Sequence, residues 1–355
     1  MKTKIIILTI LFLLGLGFLN NTYLNNTGTT NSILSKKLTE KKNLLETWKK
    51  RIHNIKENGV LPIIDTQATY ESEVDINFMI KSMDKLGVSL IAFAPKFLDP
   101  EKGSEESIRI HTLYPQYFVP TIADGTTEYW SRQKGKFIEK IENEARSGDY
   151  SFMGEFELRH YMSSRNFLAN YTSRNISIFP ESLWVHRIFK ISSEEQLTFQ
   201  IHNDPENDLL GSLEKMLAQY PNAQVIWTHL GQIRYPEKQT MYTPEYVDTL
   251  LKEYSNLHFD LAVSAPGKAY PENGFIQNTL QKISGELVFE WKELLEKHPD
   301  RFTIGTDIAG NRYTNYPEKI GNARTILLQL SQSTGEKIAY KNAWRLITGL
   351  EWDKN

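Results

Sequence analysis

The groups able to do chemistry in this 355-residue chain are carboxylates and imidazoles, because it contains no cysteine. That removes thiolate nucleophiles, disulfides, iron–sulfur clusters and thiolate zinc sites, and leaves any metal to His, Asp, Glu, Asn or Gln. Of the eight histidines, His202 and His229 each stand at the end of a short apolar run, as do Asp65, Glu155, Glu157, Asp260 and Asp307. Two neutral imidazoles with two or three carboxylates form a donor set for one divalent ion of the Zn, Mn or Fe kind, and Glu155, His202, His229 and Asp307 are the candidate ligands. Such an ion brings the pKa of a water to about 7 and polarises a carbonyl. The implied chemistry is metal-assisted hydrolysis, or decarboxylation by the same polarisation, with Asp307 or His229 handling the proton.

These residues need a scaffold that brings them together. From Val60 onward, apolar runs bounded by polar turns alternate with helical patterns of ten to twenty residues. That alternation is the signature of βα units and a parallel sheet. The strands are expected at 61–65, 88–94, 117–122, 152–157, 198–202, 224–228, 257–261 and 302–306, with helices between them and a further one near 336–349. Eight units in about 275 residues match one (β/α)8 TIM barrel. An open doubly wound sheet is the competitor, but no G-x-G-x-x-G follows the first strand and no P-loop occurs. Barrel enzymes build their sites at the C-terminal strand ends, where the residues above all fall. Period two places Trp227 with His229, Gln200 with His202, and Gly305 with Asp307 on common faces.

Around that rim, Arg159, His160, Arg234 and Arg312 are candidates for binding the charged groups of a small-molecule substrate. The polar, aromatic segment from Tyr161 to Pro180 exceeds an ordinary βα connection and is expected to form a lid or substrate wall. His53, His111, His186, His258 and His298 lie on helices or away from the strand outlets and receive no role.

The near-neutral total of 41 basic and 43 acidic residues conceals an asymmetry. Lys2, Lys4 and eight Lys or Arg within 31–57 account for ten of the cations, so the body from residue 58 onward has 31 basic and 40 acidic residues. A net charge of −9 is the wrong sign for gripping phosphate backbones, so no nucleic-acid partner is expected. Lys2 and Lys4 precede fifteen residues, Ile5 to Leu19, that are apolar apart from one Thr. This is the pattern of a secretory signal. At about 22 Å as a helix it is short against a hydrocarbon core of roughly 30 Å. Export to a periplasmic or extracellular location is expected, with the segment at 1–19 either cleaved or retained as a membrane anchor. Residues 20–32 read as a linker and 33–57 as a basic amphipathic helix, before one barrel domain at 58–355.

The run Pro62-Ile63-Ile64-Asp65-Thr66-Gln67-Ala68-Thr69, then Gly154-Glu155, Ile201-His202, Thr228-His229-Leu230-Gly231 and Ile304-Gly305-Thr306-Asp307, resembles the amidohydrolase superfamily. More narrowly it resembles the amidohydrolase-related (amidohydrolase 2) branch, over about residues 60–350 and in the right strand order. The resemblance implies a hydrolase of small-molecule amides, esters or lactones, or a decarboxylase. It also exposes a departure, since members carry H-x-H at the end of strand one where this chain has Gln67 and Thr69. A reduced metal site is implied, held by Glu155 or Glu157 with His202 and His229, and the site is either single-metal or metal-free. Two other readings stay open: an inactive barrel acting as a binding protein, and a metal-free glycosidase using Glu155 or Glu157 with Asp260.

Overall fold

The computed structural model describes residues 27–170 and 174–354; the leader read at 1–19 lies outside them. Strand β1 (Ile63–Tyr70) pairs in parallel with β2 (Val88–Pro95). β3 comprises two short runs, Phe118–Val119 and Thr121–Ile122, the first pairing with β2 and the second with β4 (Phe152–His160). Pro120 separates them because its nitrogen has no hydrogen to donate to a ladder. β5 (Phe199–Asn203), β6 (Val225–Trp227), β7 (Leu257–Asp260) and β8 (Phe302–Thr303) follow in parallel order. Beyond β8 the chain returns to β1 through the pairs Asp65 with Ile304 and Ala68 with Ile308. Eight parallel staves therefore close into an α/β barrel, as the alternating pattern predicts.

β1 continues to Tyr70 instead of ending at Asp65, so Gln67 and Thr69 lie within a stave. The seam between β1 and β8 depends on a buried acid. Asp65 has no exposed surface; its Oδ1 accepts the backbone N–H groups of Gln67 and Thr306, each at 3.1 Å, and its Oδ2 accepts the Thr306 hydroxyl at 2.7 Å.

At the opposite end of the barrel, helix α1 (Thr27–Glu57) packs across the starts of β2 and β3. Trp48 and Ile52 are buried, the Trp48 indole donates to the Pro115 carbonyl at 2.7 Å, and the Arg51 Nε donates to the Ser89 carbonyl at 2.9 Å. The helix starts at Thr27, inside the stretch read as linker, so only residues 20–26 of that stretch lie outside the described residues. No helix among the described residues is long and apolar enough to cross a membrane.

Burial lifts the Asp65 carboxyl from its ordinary 3.8 to about 7, against the opposing pull of its hydrogen bonds from Thr306 and Gln67. The folded chain thus holds a proton that the unfolded chain releases, so this residue's contribution to stability is greatest below the unfolded value and declines as pH rises toward 7. Asp65→Asn, which keeps an acceptor for both N–H groups, is expected to lose less stability between pH 5 and pH 7.5 than the parent. The expected difference is on the order of 1–3 kcal/mol in denaturant titrations, and parallel profiles would contradict the assignment.

Candidate functional site

Three staves deliver one titratable side chain each to the barrel mouth. Glu155 on β4, His202 on β5 and His229 just past β6 are buried, and one ligand atom from each lies within 4.8 Å of the other two. Glu155 Oε1 is the meeting point, at 3.2 Å from His202 Nδ1, 3.4 Å from His229 Nε2 and 2.9 Å from the Thr228 hydroxyl.

Each imidazole is oriented by a second partner. His229 Nδ1 faces the Ala262 carbonyl at 2.8 Å, so it carries the proton there and turns Nε2 to the mouth. His202 Nε2 faces Asp204 Oδ2 at 3.5 Å. Burial alone would lower the His202 pKa, but Asp204 and Glu155 outweigh it and lift it to about 10. Burial would likewise raise Glu155, yet His202 and His229 hold it well below the usual carboxylate range. His229 is raised, Glu155 overcoming burial and the neighbouring His202 charge.

The local backbone explains how two consecutive residues reach Glu155. His229 has φ +63°, in the left-handed region, so the period-two expectation that Trp227 and His229 share a face fails. Trp227 packs against Phe259 and Tyr242, while Thr228 and His229 both turn to the centre. A non-glycine residue in that region costs about 1–3 kcal/mol. Asp260 offsets this: its Oδ1 accepts the His229 N–H at 2.7 Å and the Ala262 N–H at 3.1 Å. Gly231 has φ +71°, and a Cβ there would lie 1.9 Å from Leu280 Cδ1. At Gly305 a Cβ would lie 2.9 Å from the Gln67 Cβ and 3.0 Å from Asp260 Oδ2, so the glycine makes room for both.

The other expected residues divide. Asp307 is not part of the three-residue group; it also has a left-handed backbone, φ +51°, and its half-exposed carboxylate lies 3.7 Å from Arg312. As a fourth metal ligand it remains an expectation, and its partly exposed position at the mouth leaves it available to a substrate. Arg159, expected to bind substrate, is engaged within the protein: its Nε donates to Glu206 at 2.6 Å and its Nη1 to Asn175 and the Ile176 carbonyl, and the guanidinium covers the Tyr161 ring. Arg234 is engaged likewise: it is 6% exposed, hydrogen-bonds the Met162 carbonyl, lies 3.6 Å from Glu272 and covers the Tyr270 ring. His160 extends the imidazole row, its ring 4.5 Å from that of His202, but its Nδ1 meets the Arg174 carbonyl. Burial, then His202 and Arg174, keep it neutral.

Gln67 and Thr69 also face the mouth. Gln67 Nε2 lies 3.4 Å from His229 Nε2, and its Oε1 is buried without a partner. Thr69 lies by Asp124, whose carboxyl burial raises while Thr126, Arg174 and, least, Thr69 pull it down. Asp124, at the outlet of β3, was missed; the run Ile122-Ala123-Asp124 has the strand-then-acid form used to find the other rim residues. Arg174 and Asp204 were missed too: Asp204 directly follows β5 but stands behind His202, which drew the reading of that outlet, and Arg174 lies in the long connection after β4. Arg174, from the long segment after β4, pairs with Glu157, which is 1% exposed and driven by burial to about 8. The metal-free glycosidase reading loses its second carboxylate: Asp260 is fully buried with Oδ1 engaged by two N–H groups.

No family model and no curated protein matches the sequence. Solved structures do. L-hydantoinase (dihydropyrimidinase) from Arthrobacter aurescens aligns with a TM-score of 0.51 at 9% identity, over 80% of this chain and 70% of its own. A dihydroorotase aligns at 0.50 and 10% identity, over 83% and 70%. The 2,6-dihydroxybenzoate decarboxylase from Rhizobium aligns at 0.49 and 10%, over 81% and 98%. The first two likenesses establish a shared barrel fold, and chemistry must be argued from the site itself.

Asp260→Ala removes the acceptor of two buried N–H groups and is expected to cost about 2–4 kcal/mol in denaturant unfolding, while Asp260→Asn, which keeps an acceptor, loses less than half of that. Equal losses for the two variants would show that the carboxylate does not restrain His229.

Proposed function

We propose that this protein is an amidohydrolase-like hydrolase acting on a small-molecule amide, ester or lactone, with one divalent ion held by Glu155, His202 and His229. The observation that carries the reading is the convergence of Glu155 Oε1, His202 Nδ1 and His229 Nε2. Zinc bonds of about 2.0–2.2 Å at tetrahedral angles set neighbouring ligand atoms about 3.3–3.5 Å apart. The two separations measured from Glu155 Oε1, 3.2 and 3.4 Å, match that spacing. Gln67 places its Nε2 3.4 Å from His229 Nε2, and its Oε1 is buried without a partner. Hydrogen bonds from the rings to a carboxylate and a carbonyl are also what ligating histidines require.

A divalent ion bound there would acidify a water and polarise a carbonyl. The chain's own residues supply the rest. His229 is locked by Ala262 with Nε2 toward the mouth, and His202 is steadied by Asp204. Asp307 is the solvent-reachable carboxylate proposed to accept the proton of the attacking water, with Arg312 beside it to bind an anionic group of the substrate. Gln67 Nε2 can donate to the oxygen on which negative charge develops. Export by the N-terminal segment, with or without membrane attachment through it, is part of the same proposal.

Protein dialysed against Zn or Mn and analysed by plasma mass spectrometry is expected to retain about one ion per chain. His202→Ala and His229→Ala should each abolish retention, and Asp204→Asn should weaken it by about 10–100-fold. A screen of amide, ester and lactone substrates should find activity that chelator removes and that Asp307→Asn lowers by about 100-fold or more. A wild-type chain that stays metal-free in excess Zn and Mn would sink the metal centre; retention without turnover on any substrate would favour the binding-protein reading.

A further inference from the structure

Beside this centre lies a second set of charged groups that hydrolysis does not use. Asp124 has no exposed surface; its Oδ1 accepts the Thr126 hydroxyl at 2.9 Å, and its Oδ2 is buried without a partner. Glu157, two residues past Glu155 and therefore on the same side of β4, is likewise buried. Its Oε1 accepts from Arg174 and lies 3.7 Å from His160 Nε2, while its Oε2 has no partner. Gly125 N donates to the Glu155 carbonyl at 2.7 Å and Glu157 N to the Gly125 carbonyl at 3.2 Å, so the outlets of β3 and β4 are held side by side. Both carboxylates feel the Arg174 charge, and the Arg174 Nε–H is itself buried and unpartnered.

A buried acceptor without a donor costs about 1–3 kcal/mol, and more when it belongs to a carboxylate. Two such oxygens at adjoining stave outlets, next to the third carboxylate Glu155, are short of donors. Among the described residues, the arginine that pairs with Glu157 and whose charge also reaches Asp124 is Arg174, and its guanidinium identifies the chemistry that fits. A guanidinium offers five N–H donors in one plane, matched to carboxylate oxygens. Arg174 comes from the connection after β4 and not from a barrel stave; two residues on, Ile176–Ser177 pair antiparallel with the end of β4, which brings the guanidinium to Glu157.

We propose that Asp124 and Glu157 form a recognition subsite for a guanidinium or amidinium group of the substrate, and that Arg174 holds this subsite until such a group arrives. The inference deepens the hydrolase reading by naming a substrate class for the same mouth. It sets a cation-bearing group next to the bond presented to Glu155, His202 and His229.

The test is calorimetric titration of the whole protein with ethylguanidinium chloride, ethylammonium chloride and ethylurea at constant ionic strength. Saturable one-to-one binding of ethylguanidinium is expected, with ethylammonium at least about tenfold weaker and neutral ethylurea silent. Asp124→Asn and Glu157→Gln, both near-isosteric and checked for folding by circular dichroism, should each weaken ethylguanidinium about tenfold or more. Arg174→Lys, which keeps the charge and loses the planar fork, should bind it more tightly than the parent. No saturable binding to either the parent or Arg174→Lys would overturn the proposal, as would equal affinity for ethylurea or indifference to both carboxylate variants. Repeating the titration after chelation separates the two readings: ethylguanidinium binding in a chain that retains no metal keeps the subsite and removes the metal centre, and a metal-loaded chain that ignores ethylguanidinium does the reverse.

Discussion

A carboxylate deprived of water must be met by donors, and Glu155 is where that requirement organises this barrel. Its Oε1 faces two imidazoles and a hydroxyl at 2.9–3.4 Å, supplied by β5 and by the residues that follow β6. The same shortage reaches outward, because each donor then needs its own partner: Asp204 behind His202, and the Ala262 carbonyl behind His229. Removing water makes each of these interactions stronger and each unmet group costlier.

Two buried aspartates solve a backbone problem created by that arrangement. Staves end at the mouth, so their last residues lack ladder partners and are free to adopt unusual conformations. Asp260 captures the N–H groups around left-handed His229, and Asp65 captures those of Gln67 and Thr306 beside left-handed Asp307. Asp307 N in turn donates to the Gln67 carbonyl at 3.0 Å, tying β1 to the end of β8. Their carboxylates, raised by burial to about 7 for Asp65 and about 6 for Asp260, act on backbone shape through these bonds. Strain of this kind gathers where a surrounding structure fixes side chains for function.

The staves were legible in the sequence because apolar runs of strand length, separated by helical periodicity, leave few alternatives to a parallel barrel. The rim was legible too, since a polar residue ending an apolar run has to sit at an outlet: Glu155, His202 and His229 were found this way. Side-chain direction past the last paired residue was not. Alternation assumes extended backbone, and at His229 the left-handed turn breaks it. Arg159 and Arg234 illustrate a second limit. An arginine near an outlet has the same sequence appearance whether it meets a substrate or, as here, Glu206, Asn175 and the Met162 carbonyl.

By itself the sequence determined the eight-stave scaffold, the absence of thiol chemistry and the stock of imidazoles and carboxylates at one rim, because these follow from residue type and period alone. The tertiary structure decided which groups meet: Glu155 with His202 and His229, Asp307 apart from them, and Glu157 with the Arg174 guanidinium, whose charge also reaches Asp124. The physical reason is that such meetings depend on closure of β8 onto β1, on register between neighbouring staves and on single left-handed residues. All of these are set by partners far away in the chain, beyond the reach of any local pattern.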